Sequence, residues 1–354
     1  MRAPFPFLIG LTATALLIAA LMRLASRLDL LDQPGGRKRH EGAVPLVGGL
    51  AMGAVFLACF GIFRVDGEVS LWFGAAVAIV LVCGVLDDYR ELGSMAKFGF
   101  QILAAWVLAQ FGGATLAHLG ELLSAERLSL GAAAIPFTVF AIVGVMNAVN
   151  MVDGQDGLAG GLALVATVWF GVAAALAGDG PALWVACLLT GQLLAFLGFN
   201  APLPGRPRAL VFLGDAGSLF LGLVLAWLAI HLSMAPSAAL SPITAVWILG
   251  IPLADTVALM LRRVLRGRSP FSPDVEHLHH LLQKRGLGKS AASALMVAAS
   301  VLMGAAGLIA ERADVPDFAM FYAYGVLWIV YYLATSAISS SALRSLHRSG
   351  LSSP

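Results

Sequence analysis

Residues 5–22 read FPFLIGLTATALLIAALM, a run without a single charged side chain. A helix of about 20 mostly apolar residues crosses the hydrocarbon core of a bilayer, and this run approaches that length. Only Arg2 precedes it and no small-residue cleavage site follows it, so we interpret it as a retained helix rather than a signal peptide. The whole chain is 59% hydrophobic and 12% charged, whereas soluble proteins average about 25% charged residues. These features predict an integral membrane protein.

Similar apolar runs recur along all 354 residues. We predict an all-α polytopic membrane protein, a single domain over residues 1–354, with about eleven transmembrane helices. The predicted spans are 5–22, 44–63, 69–86, 97–115, 132–150, 158–178, 181–199, 213–232, 241–261, 291–310 and 317–338. No internal repeat is visible, so an inverted-repeat transporter gains no support. The three cysteines lie inside apolar runs without metal-type spacing and are interpreted as packing residues.

The distribution of Lys and Arg predicts the orientation in the membrane. With eleven spans, one set of loops and the C-terminal tail carry 18 of the 22 Lys and Arg residues, counting Lys97 at the rim. These loops are 23–43, 87–96, 151–157, 200–212 and 262–290. Basic residues concentrate in cytoplasmic loops, so we expect a periplasmic N-terminus, a cytoplasmic C-terminus and a location in the bacterial inner membrane.

Five aspartates lie at the ends of predicted spans, and this topology places all of them on the cytoplasmic face. They are Asp87, Asp88, Asp153, Asp156 and Asp215. Carboxylates gathered on one face repel each other, so their grouping indicates a metal ion and a phosphate-bearing substrate. The layout alone therefore favours an enzyme, with its catalytic segments near 23–43, 87–96, 147–158, 200–218 and 262–290.

The string GVLDDYR, residues 84–90, contains adjacent carboxylates at a helix end. Such a pair can bind a divalent cation or act as a general base. Alternatively, Asp87 and Asp88 form an ordinary polar helix end that Arg90 or Lys97 neutralises. Adjacent side chains on a helix point about 100° apart, so one carboxylate could face the site while the other binds a structural partner.

The string NAVNMVDGQDGLA, residues 147–159, is the most specific in the chain. Asn147, Asn150 and Asp153 recur every three residues, roughly along one helix face. Amide and carboxylate oxygens at this spacing suit Mg²⁺ and the ribose or base of a nucleotide. A polar helix cap is the plainer alternative. A Ca²⁺ loop of the usual kind is disfavoured, because it needs a glutamate at its twelfth position.

Two further aspartates lie in apolar surroundings. Asp215, in FLGDAGS (212–218), can cap the helix that follows it, and a helix N-terminus also binds phosphate. Both roles hold together if Asp215 reaches a metal that bridges to phosphate. Asp255 lies inside the ninth predicted span, where a lone charge is costly. Because Arg262 follows it by two helical turns, we expect a structural ion pair between them.

Basic and histidine-rich segments complete the pattern. The cluster 37–40 contains Lys38 and His40, which either anchor the topology or contact a phosphate. The segment 262–280 contains Arg262, Arg263 and the histidines of HLHH. A zinc site there would need three or four converging ligands, so phosphate or sugar binding is the preferred interpretation.

Together these motifs resemble the polyprenyl-phosphate N-acetylhexosamine-1-phosphate transferase family, whose members have an MraY-like fold. The resemblance is carried by RKRHEGAVPLVGG, GVLDDY, NAVNMVDGQDGLAGG, FLGDAGS and RGRSPFSPDVEHLHH, in family order from about residue 32 to 280. The first and last strings most resemble the bacterial WecA branch, which uses UDP-GlcNAc. The MraY branch has three consecutive histidines, whereas this chain has HLHH.

The resemblance implies that GlcNAc-1-phosphate moves from UDP-GlcNAc to undecaprenyl phosphate and that UMP leaves, which begins O-antigen or related glycan synthesis. It implies Mg²⁺, with Mn²⁺ as a substitute, held by Asp215 and by Asn150. Asp87 and Asp88 match the pair that deprotonates or orients the lipid phosphate. The implied substrate-binding residues are Lys38, His40, Asn147, Asp153, Asp156, Arg262, Arg263, His277, His279 and His280.

Several alternatives stay open at this point. The donor could be another UDP-N-acetylsugar or UDP-MurNAc-pentapeptide. A transporter or flippase is the alternative of a different class, but it should carry polar groups near the bilayer midplane, and here the acids lie near span ends. Membrane lipids are expected partners and nucleic acid is not. Lipid-facing and partner-facing apolar surfaces look alike in a sequence, so a homodimer stays open too.

Overall fold

The computed structural model describes residues 4–32, 42–63, 67–234, 239–270 and 276–348. Lys38 and His40 lie outside the described residues, so their predicted roles stay predictions. The described chain is helical almost throughout, as predicted. One short antiparallel pair, β1 (Leu31–Asp32) and β2 (Val44–Pro45), joins Leu31 to Pro45 and Asp32 to Val44.

Thirteen α-helices are present in the described ranges. They are α1 (Pro4–Leu24), α2 (Gly48–Phe63), α3 (Gly67–Arg90), α4 (Ser94–Phe111), α5 (Ala134–Val152), α6 (Leu158–Ala177), α7 (Gly180–Asn200), α8 (Gly214–Met234), α9 (Pro242–Ile248), α10 (Gly250–Leu265), α11 (Leu278–Lys284), α12 (Lys289–Arg312) and α13 (Asp317–Arg348). Each predicted span overlaps at least one of these helices. The short helix α11 lies in the segment 262–290, which the sequence predicted as a loop.

Eight helices in the described part of the chain are long and apolar enough to cross a membrane, and the bent pair α9 and α10 would make nine. Helix α2 is apolar but shorter, and α4 is not among the eight. The chain is therefore a multi-pass membrane protein by helix length and composition. The count of eleven spans stays a prediction.

The predicted span 241–261 is interrupted. Helix α9 ends at Ile248, and α10 leaves it at an angle of 84°. Pro252 lies in the first turn of α10, where its missing N–H is tolerated, and its ring would clash with a helical carbonyl four residues earlier. The continuous helix expected for this segment is wrong, and the break directs α10 toward the polar end of the molecule.

Helix α8 is the central element. It packs against α2, α3, α5 and α6. In its 18-residue apolar stretch 83% is buried inside the protein, compared with 11% in that of α13. The N-terminus of α8 meets the C-termini of α3 and α5 and the N-terminus of α4. These helix ends carry most of the polar residues that the sequence predicted as functional.

Candidate active site

A cavity of about 350 Å³ opens where these helix ends meet. Helices α4, α5, α8, α10 and α11 all contribute to its wall. The lining residues are Ser94, Lys97, Phe98, Gln101, Asn147, Asn150, Met151, Gly154, Asp215, Leu219, Arg263, His277, His279 and His280. Seven of the predicted site residues therefore share one cavity, although they come from sequence positions more than 100 residues apart.

Lys97 connects two carboxylates at the cavity floor. Its Nζ atom lies 2.7 Å from Asp87 Oδ2 and 3.5 Å from Asp215 Oδ2. Asp87 is buried, and its Oδ1 atom accepts a 2.6 Å hydrogen bond from the Leu92 amide. Asp215 is only half-buried, with 30% of its side chain exposed. The ammonium group therefore offsets the repulsion between two acids while leaving Asp215 accessible from the cavity.

Asp88 has a different role from its neighbour. Its Oδ1 atom accepts a hydrogen bond of 2.8 Å from the backbone N–H of Asp215, and Oδ2 accepts one of 3.3 Å from Ala216. These amides belong to the first turn of α8, which has no intrahelical acceptors for them. The expected N-cap therefore comes from Asp88 on α3 and not from the side chain of Asp215.

Two glycines allow this close approach of α3 to α8. A Cβ on Gly84 would lie 2.2 Å from the Cα of Ala216. Gly214 has a φ of +72°, a conformation that favours glycine, and a Cβ there would lie 2.6 Å from Asp88 Oδ2. The spacing between the acids of α3 and Asp215 thus depends on the absence of two side chains.

The C-terminal end of α5 presents two asparagines to the cavity. Asn147 donates through Nδ2 to Gln101 Oε1 at 2.6 Å and to the Val143 carbonyl at 2.8 Å. Asn150 donates through Nδ2 to Asp215 Oδ1 and, at 2.8 Å, to Ser218. The amide nitrogen of Asn150 therefore faces Asp215. For its oxygen to bind a metal beside Asp215, the amide group would have to turn over.

Asp153 and Asp156 lie beside the cavity and are not among its lining residues. Burial, and then the negative charges of Asp215, Asp88 and Asp156, raise the pKa of the Asp153 carboxyl to about 8. Asp156 accepts a 3.0 Å hydrogen bond from the backbone of Ala209 and so holds the 201–212 segment. The structure thus gives Asp156 a structural contact, while its predicted contact with a nucleotide stays a prediction.

The histidines of HLHH line the opposite wall. His279 is fully buried, and neither of its ring nitrogens has a hydrogen-bond partner in the described residues. Burial and the neighbouring His280 and His277 lower the pKa of the His279 imidazole to about 3, so that ring is neutral. A buried, neutral ring with two unsatisfied nitrogens at a cavity wall is a site for a ligand hydroxyl or carbonyl group.

The two arginines of α10 diverge. Arg263 lines the cavity and also donates to the Pro270 carbonyl at 2.5 Å. Arg262 points away from the cavity and donates to Thr335 at 2.8 Å and to the Glu276 carbonyl at 3.0 Å. The expected ion pair between Asp255 and Arg262 is wrong. Both residues lie on α10, where seven residues of helix separate them by about 10 Å along the axis. Arg262 reaches α13 and the segment before α11 instead.

Some residues of the cavity were not among the predicted site residues. The sequence predicts Lys97 only as a neutralising partner of the acid pair and assigns no role to Gln101. Both lie on α4, one helical turn apart, in a segment that the sequence presents as an apolar span. Polar residues spaced by four positions in a span are a signal for a shared face, and Gln101 is buried with 3% of its surface exposed.

The donor atoms present fit Mg²⁺ better than a transition metal. Asp215 lines the cavity with hard carboxylate oxygens, and the buried Asp87 carboxylate lies on the other side of Lys97. Within the described ranges, no group of three or more His, Cys, Asp or Glu side chains is arranged to hold a metal. Mg²⁺ is commonly bound by one or two carboxylates together with substrate phosphates and water, so this donor set is compatible with it.

Comparison with known proteins identifies the group to which this arrangement belongs. The sequence profile described as glycosyl transferase family 4 matches residues 70–233. The chain is 35% identical over 323 residues to the undecaprenyl-phosphate alpha-N-acetylglucosaminyl 1-phosphate transferase of Escherichia coli K12, covering 90% of this chain and 87% of that protein. The chain belongs to glycosyl transferase family 4.

Two other bacterial relatives are also undecaprenyl-phosphate alpha-N-acetylglucosaminyl 1-phosphate transferases. The protein from Haemophilus influenzae is 35% identical over 322 residues and 90% of both chains, and the protein from Yersinia pestis is 34% identical over 314 residues. The matched lengths include every helix that lines the cavity. The family expected from the sequence motifs is thus confirmed, and this membership favours a transferase over a transporter.

Proposed function

We propose that this protein transfers GlcNAc-1-phosphate from UDP-GlcNAc to undecaprenyl phosphate and releases UMP. The proposal is supported by the names of the relatives described above, which match about nine-tenths of the chain. The observation that carries it is the cavity, where an aspartate, a lysine, an arginine, asparagines and histidines from several helices converge. Two anionic substrates need such a mixture of charges to come together.

The reaction makes one bond and breaks one bond. An oxygen of the lipid phosphate attacks the phosphorus that carries the sugar, and the bond from that phosphorus to the oxygen of UMP breaks. Attack by one anion on another is slowed by repulsion, so positive charge near the transferred group stabilises the transition state. Among the described residues, Lys97 and Arg263 are the lysine and arginine side chains that line the cavity.

We assign Asp87 to the acceptor side of the reaction. It is bonded to Lys97, which lines the cavity, and Lys97 can exchange Asp87 for a phosphate because 28% of its side chain is exposed. Asp87 then orients the lipid phosphate or accepts its proton. Much of the lipid phosphate is dianionic near neutral pH because its second pKa is about 6, so orientation contributes more than proton removal.

Asp215 is the proposed metal ligand, and Asn150 orients it through the hydrogen bond between their side chains. A bound Mg²⁺, or Mn²⁺ in its place, would neutralise phosphate charge and favour departure of UMP. Asn147, Asp153 and Asp156 are proposed for the nucleotide side. His277, His279 and His280 are proposed for the sugar-phosphate side, as are Lys38 and His40.

We propose eleven transmembrane spans, with the N-terminus periplasmic, the C-terminus cytoplasmic and the cavity on the cytoplasmic face of the bacterial inner membrane. The polar ends of α3, α4, α5, α8 and α10 all meet at this cavity, and the loops that this topology puts on the same face, together with the C-terminal tail, carry 18 of the 22 Lys and Arg residues. Such a bias toward basic residues is typical of a cytoplasmic face. UDP-sugars are made in the cytoplasm, which agrees with this orientation.

The test is a reconstitution with a panel of donors. Purified protein in detergent is incubated with undecaprenyl phosphate, Mg²⁺ and, separately, UDP-GlcNAc, UDP-GalNAc, UDP-glucose and UDP-MurNAc-pentapeptide, and UMP is measured. We expect UMP and a lipid-linked GlcNAc-diphosphate from UDP-GlcNAc only. Release of UMP with one of the other donors and not with UDP-GlcNAc would show that the assigned sugar is wrong. Absence of UMP with every donor would contradict the proposed reaction.

A further inference from the structure

Asp255 forms a buried hydrogen-bond network behind the cavity wall. The residue is 0% exposed and lies on α10, in the bent pair α9–α10. Its Oδ2 atom lies 2.8 Å from Nδ1 of His277. Its Oδ1 atom accepts hydrogen bonds from the Leu278 amide at 3.0 Å and the Tyr331 hydroxyl at 2.7 Å. An acid at this depth is costly unless it has partners, and Asp255 has three.

The network fixes the orientation of one cavity residue. A carboxylate accepts hydrogen bonds, so the Nδ1 atom of His277 must carry a proton. His277 lines the cavity, and its Nε2 atom has no hydrogen-bond partner in the described residues. The backbone on both sides is also held, because Arg262 binds the Glu276 carbonyl and Asp255 binds the Leu278 amide. His277 thus has little freedom to turn.

We propose that Asp255 is a positioning residue that presents His277 Nε2 to a phosphate oxygen of the UDP-sugar. The proposal rests on the function proposed above, because it needs a diphosphate donor in the cavity. A phosphate oxygen accepts hydrogen bonds, so contact with it requires a proton on Nε2. Because Nδ1 already donates to Asp255, His277 binds the phosphate as a cation, and the buried carboxylate balances its charge.

An Asp255→Asn substitution separates this role from a structural one. The Leu278 amide can only donate, so the oxygen of the new side chain must face Leu278 and its NH₂ group must face His277. Nδ1 then has to accept a hydrogen bond, which leaves His277 neutral with its proton on Nε2. The contact with phosphate survives but the positive charge is lost, while the bonds that hold α11 and Tyr331 remain.

The main experiment is a double-mutant cycle on kcat/KM for UDP-GlcNAc. We expect about a tenfold loss for Asp255→Asn and about a hundredfold loss for His277→Ala. The double variant should be within about twofold of His277→Ala alone, because Asp255 acts through His277. Losses that multiply in the double variant would overturn the proposal. So would equal increases in KM for the donor and for undecaprenyl phosphate, since the proposal expects the donor KM alone to rise.

Two further variants complete the test. Tyr324→Phe removes another hydroxyl contact between α13 and α10, the 3.2 Å bond to the Gly250 carbonyl, and should leave both KM values unchanged. His277→Asn keeps an N–H group near the position of Nδ1, so it preserves the bond to Asp255 but has nothing at Nε2. We expect a raised donor KM. A normal donor KM would overturn the proposal even if Asp255→Asn fails to fold.

The wild-type reaction is measured first, which distinguishes the two proposals. If the wild-type protein releases UMP from a different UDP-sugar, the assigned donor is wrong and the same cycle is run with the active donor. If UMP is released from UDP-GlcNAc and the losses in the cycle multiply, the proposed function stands and the positioning role fails.

Discussion

Asp87 and Asp88 are neighbours in sequence, but their carboxylates bind different groups. Asp87 bonds to Lys97 at the cavity, whereas Asp88 bonds to two backbone amides in the first turn of α8, which lack helical acceptors. Adjacent residues on a helix point in different directions, so one helix end can provide both a functional and a structural acid. The sequence identifies the pair but not this division, because the partners of Asp88 lie on α8, more than 100 residues away.

This division predicts that substituting Asp88 mainly lowers stability, whereas substituting Asp87 mainly lowers activity. Asp88→Ala removes the acceptors for the Asp215 and Ala216 amides, so the free energy of unfolding should fall by about 1–2 kcal/mol. Asp87→Asn keeps an oxygen for the Leu92 amide and loses the bond to Lys97, whose partly exposed ammonium group still has Asp215 as a partner, so stability should fall less than in Asp88→Ala while turnover falls. Thermal unfolding in detergent and UMP release measure the two effects. Equal destabilisation by both variants would contradict the assignment.

Asp215→Asn tests the proposed metal ligand. The amide has nearly the same shape as the carboxylate, and the backbone contact with Asp88 is unchanged. We expect Mg²⁺-dependent turnover to fall by about 10²-fold or more, with the unfolding temperature close to that of wild type. Titration of UMP release with Mg²⁺ gives the result. Full activity in the purified variant would refute the metal assignment.

Asp153 predicts a pH dependence of stability in Mg²⁺-free buffer. Its pKa is about 8 in the folded protein and about 3.9 in an unfolded chain, so between these values the folded state binds more protons. Stability from this group is complete below about pH 4 and is lost as the pH rises to about 8, by at most about 1.4 kcal/mol per pH unit.

The Asp153→Asn variant removes this titration. Urea unfolding at pH 5, 6.5 and 8 should therefore show a smaller loss of stability toward high pH in the variant than in wild type. The exposed Glu126, changed to Gln, is a surface control that should keep the wild-type slope. Identical slopes for wild type and Asp153→Asn would show that the Asp153 carboxyl ionises as it does in water.

At the scale of helices, the contact between α3 and α8 sets the geometry of the site. Gly84→Ala would place a Cβ 2.2 Å from a backbone atom of α8, and backbone cannot move aside as a side chain can. We expect a loss of about 1–3 kcal/mol in stability and a larger loss of activity, because Asp87 and Asp88 follow Gly84 by one turn. Gly74→Ala on the same helix meets only Leu57, at 4.0 Å, and should behave as wild type.

Hydropathy predicted the helices well, because a bilayer requires long apolar runs. It failed at α9 and α10, where a run of sufficient length is divided by an 84° bend. Averaged hydropathy contains no information about direction, and Pro252 within the run was the available signal. The short helix α11 was missed for the opposite reason, since its seven residues are too few for a periodic pattern.

The sequence predicted which residues belong to the candidate site better than it predicted which residues they contact. Carboxylates, asparagines and histidines at span ends indicated the cavity, because charged groups close to the hydrocarbon core are costly and usually mark functional sites. Lys97 and Gln101 were missed as lining residues, since they lie within an apolar run. The predicted ion pair of Asp255 was wrong, because helix spacing favours Arg262 as its partner, whereas the tertiary structure brings His277 to the acid.

At the scale of the whole molecule, the proposed orientation predicts which loops are reachable from outside the cell. In a background where Cys59, Cys83 and Cys187 are replaced by alanine, single cysteines are introduced at Ser124 and Arg285. A membrane-impermeant maleimide applied to spheroplasts should label the cysteine at 124 and not the one at 285. Lysed cells should label both. Labelling of position 285 in intact spheroplasts would reverse the orientation.

Lys97 supplies positive charge to the site before any metal ion binds. Its ammonium group lies between Asp87 and Asp215, so these acids have a resident counter-ion from the moment the chain folds. With this counter-ion in place, folding in the membrane would not require the Mg²⁺ proposed above, and Mg²⁺ would be needed only for turnover. A cell short of magnesium would then retain folded but inactive protein, which would regain activity when Mg²⁺ is supplied.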